Sequence, residues 1–391
     1  TGFAAETDMV TTLDGALTPN DTLSNPFPRG LTPPTGSSQG LRTLLGNTLS
    51  LYDYNRKNIR NTRYSFGFQH ELGNQFQIEV NYVGQRAANL LTSTNSGDSG
   101  RVINAGWNGT GGTFDQQYYG LGARLNTRVR NPFLGLIPQP SALAGETITV
   151  SQMLMPYPHF GSITHVRTMG GTSYYNSLQV GANKRFGGGL TAQFAYTLSK
   201  LLESLRYIET SDAKPSQMIG QFDNPHRFST GIIYELPFGT GKKLKANHGV
   251  VDGIIGGWQW SAMYIYQTGA AVALPAALAT GAAPTIDNPT IDRWFNGGSM
   301  VVLPPFTARR LPFYWNDLRV PATNNWDMSF QKNTTVYKER IKLQFRLEMI
   351  NAFNRVWFGA PNTGITAPTY TQITSQANQP RNIQFGLKLT Y

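Results

Sequence analysis

The sequence predicts an all-β fold: an antiparallel transmembrane β-barrel segment, in which about nine strands form part of a larger barrel. Three observations favour this class. Segments of about ten residues alternate apolar and polar side chains, short and long connections alternate between them, and the apolar faces carry almost no charge. A period of two places the apolar side chains of a strand on one face, as a wall between lipid and water requires.

The clearest alternation lies near the end of the chain. Residues 341–350 (IKLQFRLEMI) and 383–391 (IQFGLKLTY) have an apolar or aromatic residue at every second position. In a soluble protein an exposed terminal strand is usually blunted or covered. This strand keeps its alternation up to Tyr391, with no segment that would cover it, so we expect its free edge to pair with a neighbouring strand.

Seven earlier segments predict the other strands. Their connections run short, long, short, long, moderate, long and short, and a last long loop precedes the terminal strand. Outer-membrane barrels have short periplasmic turns and long extracellular loops. A soluble all-β protein with equally two-faced strands is the alternative that the pattern leaves open, and the loop asymmetry favours the membrane barrel. The segments are residues 64–72, 76–82, 174–186, 190–198, 228–236, 258–266 and 326–331.

The chain divides accordingly into two regions. Residues 1–61 show little periodicity and predict an extracellular loop region, and residues 62–391 predict the barrel strands. Because nine strands are too few for a wide pore, we expect an open sheet with edges near residues 64–72 and 383–391. A short helix is expected near residues 201–207. The long loops are expected at about residues 86–171, 200–225, 269–325 and 351–380.

Composition agrees with strands and long polar loops. Apolar residues make up 40% and charged residues 14%, below the usual quarter, so the polar share consists mostly of neutral side chains. No run of about 18 apolar residues predicts a membrane-spanning helix. The net charge of +11 comes without long basic blocks, and no nucleic-acid partner is predicted. The absence of Cys excludes disulfides and thiolate metal sites.

The sequence shows no constellation of catalytic or metal-binding residues, so we predict no enzyme activity, cofactor or metal site. The five His residues stand apart, and no HExxH motif occurs. Residues 239–243 (GTGKK) lack the first Gly of a P-loop and the Ser or Thr after its Lys. Trp107, Tyr118 and Tyr119 are possible ligand contacts in a long loop; packing of that loop against itself is the alternative interpretation.

Several motifs, taken in their order and spacing, resemble the C-terminal part of Oar-like TonB-dependent outer-membrane receptors. The resemblance extends over nearly the whole chain. The motifs are NPFPRG at 25–30, QFDNPHRFSTGIIYELPFGTGKK at 221–243, GGWQ at 256–259, WFN at 294–296, NWDMS at 325–329, LQFRLEMINAFNRVWFGAP at 343–361 and QFGLKLTY at 384–391.

The resemblance implies a 22-stranded barrel, an N-terminal plug and a short segment that contacts TonB. The sequence has no room for these N-terminal parts, so we expect a fragment or a truncated product without a plug. The implied location is integral in the outer membrane of a Gram-negative bacterium. The implied partners are outer-membrane lipid, the barrel-assembly machinery, the TonB complex through the absent plug, and an unidentified extracellular ligand.

The end of the chain resembles the C-terminal signal that the barrel-assembly machinery binds. Phe385, Leu387, Leu389 and Tyr391 would supply its alternate side chains, and the exposed backbone edge would pair by strand addition. The implied function is energy-coupled uptake of a ligand across the outer membrane. The alternative function is that of a structural or adhesive surface protein without transport activity.

Overall fold

The computed structural model describes most of the chain. The described residues are 5–7, 9, 12, 17–20, 22–28, 30–34, 36–73, 75–93, 100–105, 107, 114–138, 141–186, 189–239, 241–244, 249–337 and 341–391. Thr240, within the GTGKK segment, and His248 lie outside them.

One antiparallel sheet contains nine long strands, each paired with the strands that precede and follow it in sequence. This sheet is called the wall below. Its strands are β1 (Arg60–Glu71), β2 (Phe76–Leu91), β3 (Met169–Phe186), β4 (Leu190–Arg206), β5 (His226–Glu235), β6 (Trp258–Gln267), β7 (Thr323–Tyr337), β8 (Ile341–Ile350) and β9 (Asn382–Thr390).

The wall is open. β1 and β9 lie at its two edges, and within the described residues each pairs with only one long strand, β2 and β8 respectively. This confirms the prediction of an open sheet with edges near residues 64–72 and 383–391. An open edge leaves a row of backbone donors and acceptors available for another strand.

The helix expected near residues 201–207 is wrong, because β4 continues as a strand to Arg206. Leu202 and Glu203 pair with β3 on one side and with the short strand Ser216–Ile219 on the other. Pairing on both edges satisfies the backbone of this leucine-rich run and overrides its helical propensity. β2 and β3 also extend into the region predicted as loop, to Leu91 and from Met169.

The two flanks of the wall differ as the alternation predicts. Cross-strand pairs such as Phe66–Tyr82 and Leu347–Phe385 place apolar side chains together on one flank, which is called the apolar flank. Phe66 is 79% exposed and Leu387 is 72% exposed, so these side chains are not buried against a second sheet. The opposite, polar flank carries Ser, Gln, Asn and Thr with a few charges.

The apolar core lies in the long connections rather than in the wall. Three clusters of buried side chains, centred on Phe295, Phe313 and Phe114, are built from residues outside the nine strands. These connections, here called the loop layer, include residues 92–168, 207–225, 268–322 and 351–381 where the structure describes them. A soluble-type core therefore stabilises one end of the wall.

The remaining elements are short. Among the described residues, no helix is long and apolar enough to cross a membrane. The other strands are Leu49–Tyr52, Gly100–Asn104, Arg128–Arg130, Thr147–Thr149, Ile163–Val166, Ser216–Ile219, Ala271–Ala273, Ala277–Ala279, Met300–Val302 and Tyr314–Arg319. The helices are Gly40–Arg42, Gln116–Asn126, Ala142–Ala144, Val150–Met153, Gly249–Ile255 and Gly297–Ser299.

Candidate ligand-facing surface

The three aromatic residues singled out in the sequence come together in one cluster of the loop layer. Trp107 meets Tyr119 edge-on, with ring centroids 5.3 Å apart, and stacks on Phe306 at 4.8 Å. Tyr119 is buried, whereas Trp107 and Tyr118 remain half-buried. Tyr118 packs against Phe114 with ring centroids 5.8 Å apart. Ligand contact by these residues stays a prediction, and two of the three have surface available for it.

The hydroxyl of Tyr119 joins this cluster to a buried charge. It lies 3.0 Å from Oε2 of Glu209 and 3.1 Å from the carbonyl oxygen of Phe114, both within donating distance. Glu209 is 1% exposed, and its other carboxylate oxygen accepts a hydrogen bond from the backbone N–H of Arg309. A buried carboxylate needs such partners, because burial without them costs several kcal/mol. Glu209 therefore fastens residues 114–119 to the segment around Arg309.

Arg309 is a buried cation that interacts electrostatically with this carboxylate. Its guanidinium donates to the carbonyl oxygens of Leu311 and Leu274, at 2.9 and 3.1 Å, and lies 4.1 Å from the centroid of the Phe313 ring. Burial lowers the pKa of Arg309 to about 10, an effect that Glu209 opposes. The side chain remains protonated at neutral pH, so the loop layer carries a buried positive charge held by carbonyl groups.

A buried ion pair lies where the loop layer meets the wall. Nη2 of Arg319 is 2.8 Å from Oδ2 of Asp223, whose side chain is fully buried. The other carboxylate oxygen of Asp223 accepts from the backbone N–H of Leu201, in β4, at 2.5 Å. Nη1 of Arg319 donates to the carbonyl oxygens of Asp223 and Gly269. The partner of Asp223 lies 96 positions away in the sequence, and local spacing does not predict it.

The polar flank contains a cavity of about 420 Å³ between β4 and β8. Gln193, Ser261 and the carboxylates of Asp327 and Glu348 contribute to its lining. Gly231 lies opposite Gln193 and Met263 in the sheet register, and its missing side chain leaves open space there. Among the described residues, the lining combines apolar side chains with two carboxylates and contains no Lys or Arg.

The predicted assembly-signal residues lie at the open edge of the wall. Phe385, Leu387 and Leu389 are exposed on the apolar flank of β9, and Tyr391 follows the strand with its side chain exposed. Phe385 is opposite Leu347, with the Phe345 ring 6.3 Å away. The geometry leaves both the backbone edge and alternate side chains accessible, as strand addition requires.

No metal centre appears among the described residues, where no three His, Asp or Glu side chains lie together. Sequence reasoning missed Glu209, Arg309 and Arg319. Only 14% of the residues are charged, so a charged residue within an apolar loop segment is the sequence signal that could have identified these three. The pairings themselves join residues about one hundred positions apart, which spacing alone cannot predict.

A family model described as an outer membrane beta barrel domain matches residues 1–384. The chain belongs to this family. It is an integral outer-membrane protein, and the outward exposure of its apolar flank is the surface that such a location needs. No curated protein matches the chain.

Among solved structures, the chain is similar to three outer-membrane proteins. The transporter YddB from Escherichia coli has a TM-score of 0.46 and 11% identity over 88% of this chain and 34% of that chain. The FrpB iron transporter from Neisseria meningitidis has a TM-score of 0.36 and 13% identity over 87% and 32%. The pyoverdine receptor FpvA from Pseudomonas aeruginosa has a TM-score of 0.37 and 10% identity over 84% and 29%. The chain spans about a third of their length, and these proteins are transporters and receptors rather than enzymes.

Proposed function

We propose that this outer membrane β-barrel domain is the C-terminal part of the wall of a TonB-dependent, Oar-like receptor. The receptor would take up an unidentified ligand across the outer membrane with energy supplied through TonB. One observation carries the proposal: the wall has an exposed apolar flank, a polar flank and two open edges. A sheet of this kind is stable in a bilayer only when further strands pair with both edges.

The loop layer supports a receptor rather than a plain pore. It has its own buried core, the buried Glu209 carboxylate that accepts from the backbone N–H of Arg309, and one buried ion pair, so it presents fixed surfaces at one end of the wall. In outer-membrane barrels the long loops face the outside. Trp107 and Tyr118 would contact a ligand there, and Tyr119 would do so only after its cluster opens.

A structural or adhesive surface protein is the second candidate. The folded loop layer favours it equally, because such loops can bind a partner without any passage through the barrel. Energy coupling separates the two functions. We expect the full-length natural protein, purified in detergent, to bind the periplasmic domain of TonB from the same bacterium.

Two measurements test the proposal. The full-length protein should remain in the membrane after alkaline extraction and should migrate differently in gels before and after heating. A soluble monomer in plain buffer would contradict the membrane wall itself. A heat-modifiable membrane protein that does not bind TonB would refute energy-coupled uptake and leave the adhesive function.

The same proposal assigns assembly to Phe385, Leu387, Leu389 and Tyr391. Replacing Tyr391 with Ser should slow insertion by the reconstituted assembly machinery about tenfold, while spontaneous folding into thin bilayers changes little. The reason is that only the machinery would bind the alternate side chains of the free edge. Equal slowing of both reactions would show that Tyr391 acts only as a lipid-facing residue.

A further inference from the structure

Charge is distributed unequally between the two flanks of the wall. Within the nine described strands, every acidic residue falls on the polar flank according to the strand registers, whereas cations occur on both flanks. The acidic residues are Glu71, Glu79, Glu203, Glu235, Asp327 and Glu348. The cations aligned with the apolar flank are Arg60, Arg86, Lys184, Lys200 and Lys332.

These outward cations stand towards the ends of their strands. Lys184 and Lys332 lie near the short turns, each with Nζ 5.5 Å from the centroid of an aromatic ring. Arg86 and Lys200 lie towards the loop layer, beyond the exposed Tyr82. Nζ of Lys200 donates to Oδ1 of Asn316 in the loop layer, and Nζ of Lys332 donates to the carbonyl oxygens of Gly253 and Gly256. A long cationic side chain at a strand end, such as that of Lys184, reaches the bilayer interface with its charged end. The flank thus has an apolar middle and positive margins.

At the loop-layer margin the outward cations adjoin a cleft. The cavity is about 890 Å³ and is lined on the wall side by Thr172, Tyr174 and Ser204, all aligned with the apolar flank. The guanidinium of Arg86 lies 5.0 Å from the centroid of the Tyr174 ring. We call this cavity, with Arg86, the basic cleft. Its wall-side lining lies on the same flank as the lipid-facing residues, at the height where the wall meets the loop layer.

The loop layer supplies the other side of the basic cleft with positive charge. Lys214 and Arg310 line it and are exposed, and the buried Arg309 lies behind them. Lys214 forms no ion pair with the described residues, and Nη2 of Arg310 makes a 3.3 Å contact with an uncharged side-chain oxygen, Oε1 of Gln116. Asp212 also lines the cleft, and its Oδ2 accepts from the backbone N–H of Glu209 at 2.9 Å. Cations therefore outnumber carboxylates around the cavity.

We propose that the basic cleft binds the phosphate groups of a lipid headgroup in the outer leaflet of the membrane. The proposal rests on the orientation in the proposed function, with the loop layer outside. A headgroup is favoured over a soluble anion or an acidic protein because the wall side of the cleft is formed by residues aligned with the apolar flank, the surface that acyl chains contact. Juxtamembrane Lys and Arg residues attract anionic headgroups, at about 1 kcal/mol each.

The test measures equilibrium binding of fluorescent, bisphosphorylated lipid A to the purified full-length protein in uncharged detergent. Replacing both Lys214 and Arg310 with Glu should weaken binding at least thirtyfold, because the loss of two headgroup cations alone accounts for about thirtyfold. The matched control replaces Arg56 and Lys57 with Glu; these exposed residues make the same charge change outside the cleft, and binding should stay within twofold.

Two further binding measurements identify the source of the phosphate. A folding readout and a milder variant separate loss of binding from misfolding. Dephosphorylated lipid A should bind at least tenfold more weakly, and millimolar inorganic phosphate should not displace the lipid. Heat modifiability reports folding, and the milder replacement of Lys214 and Arg310 with Gln decides the result if the Glu variant does not fold. The Gln variant should weaken binding about thirtyfold, the loss expected for two headgroup cations.

Four outcomes would overturn the proposal: equal loss in the Arg56 and Lys57 control, unchanged binding in the Gln variant, equal binding of dephosphorylated lipid, or displacement by inorganic phosphate. The last would identify a site for a free anion. Because the measurement requires neither uptake nor TonB, a protein that fails to bind TonB can still bind lipid A as proposed. Its outcome is therefore separate from that of the proposed function.

Discussion

The ion pair between Asp223 and Arg319 should be the most sensitive point of the loop layer. Replacing Asp223 with Ala leaves Arg319 without its carboxylate, 2.8 Å away, and leaves the N–H of Leu201 without its acceptor. Breaking a buried pair from one side costs about 3–5 kcal/mol. Arg319 is 19% exposed and can recover some hydration, so we expect the lower limit, about 3 kcal/mol. That corresponds to a roughly hundredfold rise in local opening.

Hydrogen exchange measures this opening directly. In the Asp223→Ala variant, amide groups of residues 201–223 and 314–319 should exchange about a hundredfold faster, while those of β7 and β8 remain unchanged. Asp292→Ala, at an exposed position, is the control and should change exchange less than twofold. Adding Arg319→Met to Asp223→Ala should recover at least tenfold of the protection, because no unpartnered charge remains. Equal protection in Asp223→Ala and the natural protein would refute the reasoning, as would a double variant no better than the single one.

Two further perturbations address the flanks and the aromatic cluster. Val180→Arg places a charge on the apolar flank and should lower folding stability in bilayers by about 2–4 kcal/mol, measured by urea titration. The control, Gln179→Arg, places the same charge on the polar flank one position away and should cost less than about 1 kcal/mol. Equal losses would show that the two flanks meet the same environment. Tyr119→Phe removes a hydroxyl from Glu209 and should cost about 1.5 kcal/mol, seen as roughly tenfold faster proteolysis within residues 114–126. Unchanged proteolysis would mean that this bond does not hold the segment.

The wall could be predicted from the sequence because the alternation of apolar and polar side chains is a local pattern. Lipid on one side and water on the other require alternation, and that alternation is visible in stretches such as Ile341–Ile350 without knowledge of any partner. The pattern fails where the strand rises beyond the bilayer. Residues 201–206 lose the alternation because loop-layer side chains, rather than lipid, cover them, and the leucine-rich run then suggests a helix.

The candidate surface was harder to predict because it depends on contacts between distant segments. Trp107 and Tyr119 could be selected as aromatic residues in a polar loop, yet their burial depends on Phe306, almost two hundred residues away. Glu209 lies one hundred residues from Arg309. Such pairs follow from how three long connections pack together, and local spacing contains no information about that packing.

The buried charges mark the boundary between two different sources of stability. Below the boundary, β-ladder hydrogen bonds and lipid contact stabilise the wall; above it, apolar clusters stabilise the loop layer as in a soluble protein. At the junction neither source is available to backbone groups such as the N–H of Leu201 and the carbonyl of Gly269. Asp223 and Arg319 satisfy these groups and each other at once. The pair is therefore better explained as a joint between wall and loops than as part of a ligand site, and its loss should loosen the loop layer and the adjoining end of β4 while leaving β7 and β8 intact.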